Sequence, residues 1–162
     1  MRRFKLSAFS LVEVTLALGV AAVSLLVILA MLPVSIKTNQ ASANQTVANG
    51  IISQIAADLR AAARLPPGQV SKQFSLDPSK GIKGRWDPTP QYIYFDFDGR
   101  PTNSSPNQST APSDAIYRAT ITYRQPPTDT TSLADVRISW PAAQSDPSKV
   151  AGSVEMFVAI NR

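Results

Sequence analysis

Few residues in this sequence can do chemistry. Its 162 residues include no cysteine and no histidine. That removes thiolate nucleophiles, disulfides and the imidazole that most often serves as general base or metal ligand. The carboxylates that offer a site are Asp77, Asp87, Asp96, Asp98 and Asp114. Asp96 and Asp98 stand two apart at the end of a strand pattern, so both can point to one side. Paired carboxylates of a hydrolase, or oxygen ligands of a calcium ion, have that arrangement. The same residues fit turn chemistry, because Asp before Gly99 is a favoured hairpin turn, and this is the simpler reading. No nucleophile elbow, phosphate-binding loop or metal-ligand cluster is present. The expectation is a protein that is not an enzyme and needs no cofactor, with calcium at Asp96 and Asp98 as the one metal considered.

The other residue out of place is Glu13. It stands three residues into LVEVTLALGVAAVSLLVILAMLPVSI, residues 11–36, and is the only charge there. A charged side chain at the centre of a bilayer costs roughly 2.5–3.5 kcal/mol even on lenient insertion scales. Near a helix end a carboxylate can instead snorkel to the interface. A helix of these residues spans about 39 Å, enough for a hydrocarbon core of about 30 Å. It exceeds the roughly 7–15 residues of a cleaved secretory h-region, which favours a retained membrane helix.

The elements that hold these residues follow from periodicity. Beyond the apolar run, Val47, Ile51, Ile55, Leu59 and Ala62 recur at helical spacing, joined by Ala48, Ile52 and Ala63. This predicts one helix over about residues 11–64, lipid-soluble in its first half and amphipathic in its second. Leu65-Pro66-Pro67-Gly68 stops it. Pro33 removes a backbone hydrogen bond and crowds the carbonyl of Leu29, which predicts a kink or local opening. Four alternating segments follow: residues 92–97, with Ile93, Phe95 and Phe97 on one face; 116–123; Val136, Ile138 and Trp140 before Pro141; and Val154, Met156, Val158 and Ile160. They predict an antiparallel sheet with the amphipathic half-helix covering one face. Polar loops, chiefly 101–115, 125–132 and 142–152, join them.

The formal charge is +5, but Arg2, Arg3 and Lys5 precede the apolar run. Taking these three from 16 basic residues leaves 13 against 11 acidic ones. Basic residues ahead of a membrane segment mark a cytoplasmic flank. The others are scattered and not interleaved with aromatics in any known nucleic-acid-binding motif, so no nucleic-acid partner is expected.

The order of parts at the N-terminus carries more information than any single part. A basic leader, MRRFKLSA, ends in a small residue; Phe9 follows, then Glu13, then some twenty apolar residues. This resembles the class III signal of type IV pilins and type II secretion pseudopilins. The phrase AFSLVEVTLALGV and the Trp-Pro ending of a late strand are most similar to the Verru_Chthon cassette type B prepilin-like group. The resemblance is tight over about residues 5–32 and continues in architecture. It implies that prepilin peptidase cuts between Ala8 and Phe9 on the cytoplasmic side and N-methylates Phe9. The family usually has Gly at the position of Ala8. It also implies that Glu13 pairs with the N-terminal amine of a neighbouring subunit and sets register in a filament. An unpaired buried carboxylate is costly, so misaligned subunits are penalised. The small residues Ala17, Gly19, Ala21, Ala22 and Ser24 permit close helix–helix approach. In this family the helix often loosens near the depth of Pro33.

The fold expected is α+β and pilin-like: leader 1–8, membrane and assembly half-helix 9–36, amphipathic half-helix 37–65, and an extracytoplasmic β-rich domain 66–162. The resemblance implies as partners prepilin peptidase, other pilin or pseudopilin subunits, the inner-membrane assembly platform and the lipid bilayer. It implies a single-pass inner-membrane protein with a cytoplasmic N-terminus, and a filament after assembly into a type IV pilus-like or type II secretion-like structure. Two rivals share the topology or the export route. One is an unprocessed signal-anchored extracytoplasmic binding protein; the other is an exported hydrolase using Asp96 and Asp98.

Overall fold

The computed structural model describes residues 10–66, 68–102, 108–124, 126 and 130–161. Helix α1, Leu11–Ala62, is followed by a short 3₁₀ turn, Pro78–Gly81, and four strands: β1 (Gln91–Phe95), β2 (Tyr117–Arg124), β3 (Thr131–Trp140) and β4 (Gly152–Asn161). The chain divides into two compact units, one ending at Gln40 and one beginning at Ala41.

In the first unit α1 is apolar on every side, and its large side chains from Leu11 to Ile36 are exposed. Three of its hydroxyls are satisfied within the helix. Thr15 donates to the Val12 carbonyl at 2.9 Å, Ser24 to that of Val20 at 2.8 Å and Thr38 to that of Val34 at 3.0 Å. Back-bonding of this kind removes those three donors from an otherwise apolar surface. The helix is continuous through Pro33.

In the second unit the remaining turns of α1 lie on one face of an antiparallel meander, order β1-β2-β3-β4. Cross-strand rows explain which residues reach the helix. Ile93, Ala119, Ile138 and Val154 form one row, Ile121, Val136 and Met156 the next, and Tyr123, Ala134 and Val158 a third. Because strand side chains alternate in direction, these rows all point to the same face. Ile51, Ile55 and Leu59 of α1 are fully buried in the resulting core with Phe95, Tyr117, Ile121, Val136, Ile138 and Ile160. Burying such a side chain contributes roughly 1.5–3 kcal/mol, so this stripe fastens the helix to the sheet. The fold is therefore α+β, with a long N-terminal helix packed on a small antiparallel sheet.

The end of α1 is tied down by its own side chain. Asp58 is buried and accepts the backbone N–H groups of Gln73 at 3.2 Å and Phe74 at 3.1 Å. The segment it holds closes on itself, Ser71 N–H donating to the Leu76 carbonyl at 2.7 Å and Leu76 N–H to Ser71 Oγ at 3.0 Å. This places Phe74 and Leu76 in the core, Phe74 edge-on to Phe95 at 5.7 Å.

Two strand boundaries differ from expectation. β1 ends at Phe95, and Phe97 is 70% exposed rather than facing the core. The reason is the turn that begins one residue after the strand, where Asp96 draws the backbone out of the extended form. β3 begins at Thr131, so pairing with β4 takes up part of the expected loop 125–132.

Candidate functional site

Glu13 lies in the first turn of α1. Its Oε2 accepts the backbone N–H of Ser10 at 3.4 Å, while Val14 N–H donates to the Ser10 carbonyl at 3.2 Å. Ser10 is thus the residue before the helix, and Glu13 the third residue inside it. This is one half of a capping box, in which a carboxylate reaches back to an otherwise unpaired donor. The carboxylate also sits where the helix dipole favours negative charge. Sequence reasoning weighed register-setting against snorkelling and missed this role. The signal was present as Ser-x-x-Glu ahead of an apolar run.

From Glu13 one helix face continues through Val14, Ala17, Leu18 and Ala21. It is a shallow apolar groove floored by small side chains, with the carboxylate at one end. The helix is long and apolar enough to cross a membrane, and its most apolar window has no buried residue. Ala8 and Phe9, the expected cut and methylation positions, lie outside the described residues. The N–H that Glu13 accepts belongs to the peptide joining residues 9 and 10, so a cut before Phe9 would leave that donor in the chain.

Asp96 and Asp98 come together as a turn. Asp96 Oδ1 accepts the N–H groups of Asp98 at 2.9 Å and Arg100 at 2.8 Å, and its carbonyl accepts Gly99 N–H at 3.2 Å. Gly99 adopts φ +75°, a region that favours glycine. Asp98 Oδ2 lies 3.7 Å from Arg100 Nη1. One carboxylate is committed to backbone donors and the other to a cation. Of the other acids considered, Asp77 accepts from Ser79 N–H at 2.9 Å at the start of the 3₁₀ turn. Asp87 pairs with Lys80 at 2.7 Å, and that hydrogen bond, with a second group of bonds from Thr89, holds its carboxyl well below the usual range. Among the described residues no three His, Cys, Asp or Glu side chains converge as a metal site.

The aromatic residues divide between roles. Tyr117 and Tyr123 are core, and Tyr117 also donates its hydroxyl to Asn44 Oδ1 at 2.9 Å. Burial pushes the Tyr117 hydroxyl pKa up, as it does that of Tyr94. Trp86 is partly exposed and donates Nε1–H to the Tyr123 carbonyl at 2.9 Å. Tyr92 alternates to the sheet face away from α1, with Arg118, Thr120, Arg137 and Ser139 beside it.

No family model, curated protein or solved structure matches the chain.

Proposed function

We propose that this chain is a pilin-like or pseudopilin subunit, anchored by α1 and assembled through it into a filament. The observation that carries the proposal is the start of α1: a capped carboxylate at Glu13, then an exposed apolar helix that leads without interruption into the half packed on the sheet. A helix exposing only hydrocarbon on all sides has to be covered by lipid or by other helices. The Ala17–Ala21 groove suits the second, since small residues let helix backbones approach closely.

In this reading prepilin peptidase cuts between Ala8 and Phe9 and methylates the new amine. Glu13, one turn along, exchanges its cap for a charge-assisted bond to the amine of a neighbouring subunit. The cytoplasmic N-terminus, the extracytoplasmic sheet domain and the inner-membrane assembly platform as partner follow from the same resemblance. The role is structural and mechanical, and Pro33 is where the helix would give when drawn from membrane to filament.

The test is the intact mass and N-terminal residue of the protein recovered from its native membrane. An N-methylated Phe9 start is expected. A Met1 start would sink the proposal in favour of the unprocessed signal-anchored binding protein. The presence of Ala8 where the family has Gly gives that second reading its footing.

A further inference from the structure

On the sheet face away from α1, a cleft of about 340 Å³ is lined by Tyr92, Arg118, Thr120, Arg137, Ser139 and, from the loops, Ser109, Ser145 and Pro147. The cross-strand register makes its floor: Tyr92, Thr120 and Arg137 form one row, Arg118 and Ser139 the next. Arg118 is the anomaly. It is only 8% exposed, and its Nε is buried with no hydrogen-bond partner. Among the described residues its guanidinium has no ion pair or hydrogen-bond acceptor. It lies beside the ring of Tyr92, with Cζ 6.0 Å from the ring centre, and opposite Tyr94 in register. A buried guanidinium is normally retained only with a counter-charge.

The local carboxylates do not supply one. Asp135 on the same face gives its Oδ2 to Arg124 at 2.6 Å, and its buried Oδ1 has no hydrogen-bond partner among the described residues, so neither oxygen is paired with Arg118. Glu155 stands opposite Arg137 in register, yet is exposed and forms no ion pair with it. Among the described residues Arg137 itself reaches Ser153 Oγ alone, at 3.5 Å. Two guanidinium groups, neither paired with a carboxylate among the described residues, therefore line one concavity, beside the hydroxyls of Ser109, Thr120, Ser139 and Ser145.

We propose that this cleft binds a small hydroxylated oxyanion, a carboxylate- or phosphate-bearing molecule of about monosaccharide size. The planar forks of Arg118 and Arg137 match the geometry of either anion. Hydroxyls that both donate and accept complement a polyol. The volume lies at the lower end of the roughly 300–1,000 Å³ found for small-molecule sites, more than a bare ion requires. The assignment does not depend on processing of the N-terminus or on assembly.

The experiment is calorimetric titration of the full chain in detergent micelles with glucuronate, glucose 6-phosphate and glucose. Saturable binding of glucuronate or glucose 6-phosphate with Kd below about 1 mM is expected, and the preferred arm identifies the anion. Glucose should bind at least about tenfold more weakly. Arg118→Gln and Arg137→Gln should each weaken binding by about tenfold or more, while Thr122→Ala, on the same face outside the cleft, should not. Arg137 is half-buried, so its variant tests the site even if loss of Arg118 disturbs folding. No binding of either anion up to about 10 mM, glucose binding as tightly as the acids, or Arg137→Gln binding as wild type would each overturn the proposal.

Discussion

Asp58 gives the sharpest test of how α1 is fastened to the sheet domain. Replacing it with alanine removes the acceptor for two backbone N–H groups, those of Gln73 and Phe74. The two losses are unequal. Phe74 is buried, so its orphaned N–H costs about 1–3 kcal/mol, whereas exposed Gln73 can turn to water and lose about 0.5–1 kcal/mol. Both bonds, at 3.1 and 3.2 Å, are at the long end for N–H···O, which holds the sum near about 3 kcal/mol. For a unit of this size each kcal/mol moves the midpoint by roughly 3–6 °C, so Asp58→Ala should melt about 10–15 °C lower. Asp58→Asn keeps one acceptor oxygen and should fall between the two. The assay is near-ultraviolet circular dichroism or fluorescence of the full chain in detergent, because both tryptophans, Trp86 and Trp140, lie in the unit that begins at Ala41. A shift below about 3 °C for Asp58→Ala, or an asparagine variant less stable than the alanine one, would refute this account of the helix end.

Three further outcomes are expected. Glu13→Gln retains an oxygen to cap Ser10 but not the charge, so under the assembly proposed above it should stay in the membrane and fail to incorporate into filaments, as Glu13→Ala should. Normal incorporation by the glutamine variant, followed by immunoblot of sheared filaments, would remove the ion-pair argument. At Gly81 an added Cβ would stand 2.7 Å from the Cβ of Ser132 and 2.8 Å from Cδ1 of Tyr123. Gly81→Ala should cost about 1–3 kcal/mol in denaturant unfolding, and an unchanged midpoint would show that the turn moves freely. The folded-state pKa of Asp87 is depressed, chiefly by Lys80. Its contribution is therefore present above the unfolded value and lost as pH falls through the folded one. Stability should decline as pH drops below about 4, and Asp87→Asn should lose less over that interval, read as the melting midpoint against pH.

The main elements of the fold could be read from the chain because its two periodicities are clean. Ile51, Ile55 and Leu59 at helical spacing, and Tyr117, Ala119, Ile121 and Tyr123 at strand spacing, each have one buried face and no competing pattern. Phe97 was misplaced because alternation cannot see a turn nucleated by Asp96, where side-chain acceptors override an apolar period. The cap made by Glu13 is written in the chain as Ser-x-x-Glu, but a carboxylate at the start of an apolar run satisfies the membrane-interface reading equally well, so the pattern alone does not select the cap. The arginine-lined cleft was out of reach for a different reason. Arg118 and Arg137 are nineteen residues apart. They meet only through the β2–β3 register, which sequence spacing does not specify.

The meander order also sets a timetable. α1 is made first, the strands that cover it come later, and each strand after β1 is added beside the one made just before it. The stripe of Ile51, Ile55 and Leu59 is complete about one hundred residues before Ile160, the last large side chain of the core. At typical synthesis rates that gap lasts roughly 5–20 s, long compared with the collapse of a small domain. During it the apolar stripe is covered only in part, by whichever of Phe74, Leu76 and the earlier strands has already been made. The interval between making the helix and finishing β4 is when a nascent chain of this design is most open to wrong partners and most dependent on being shielded.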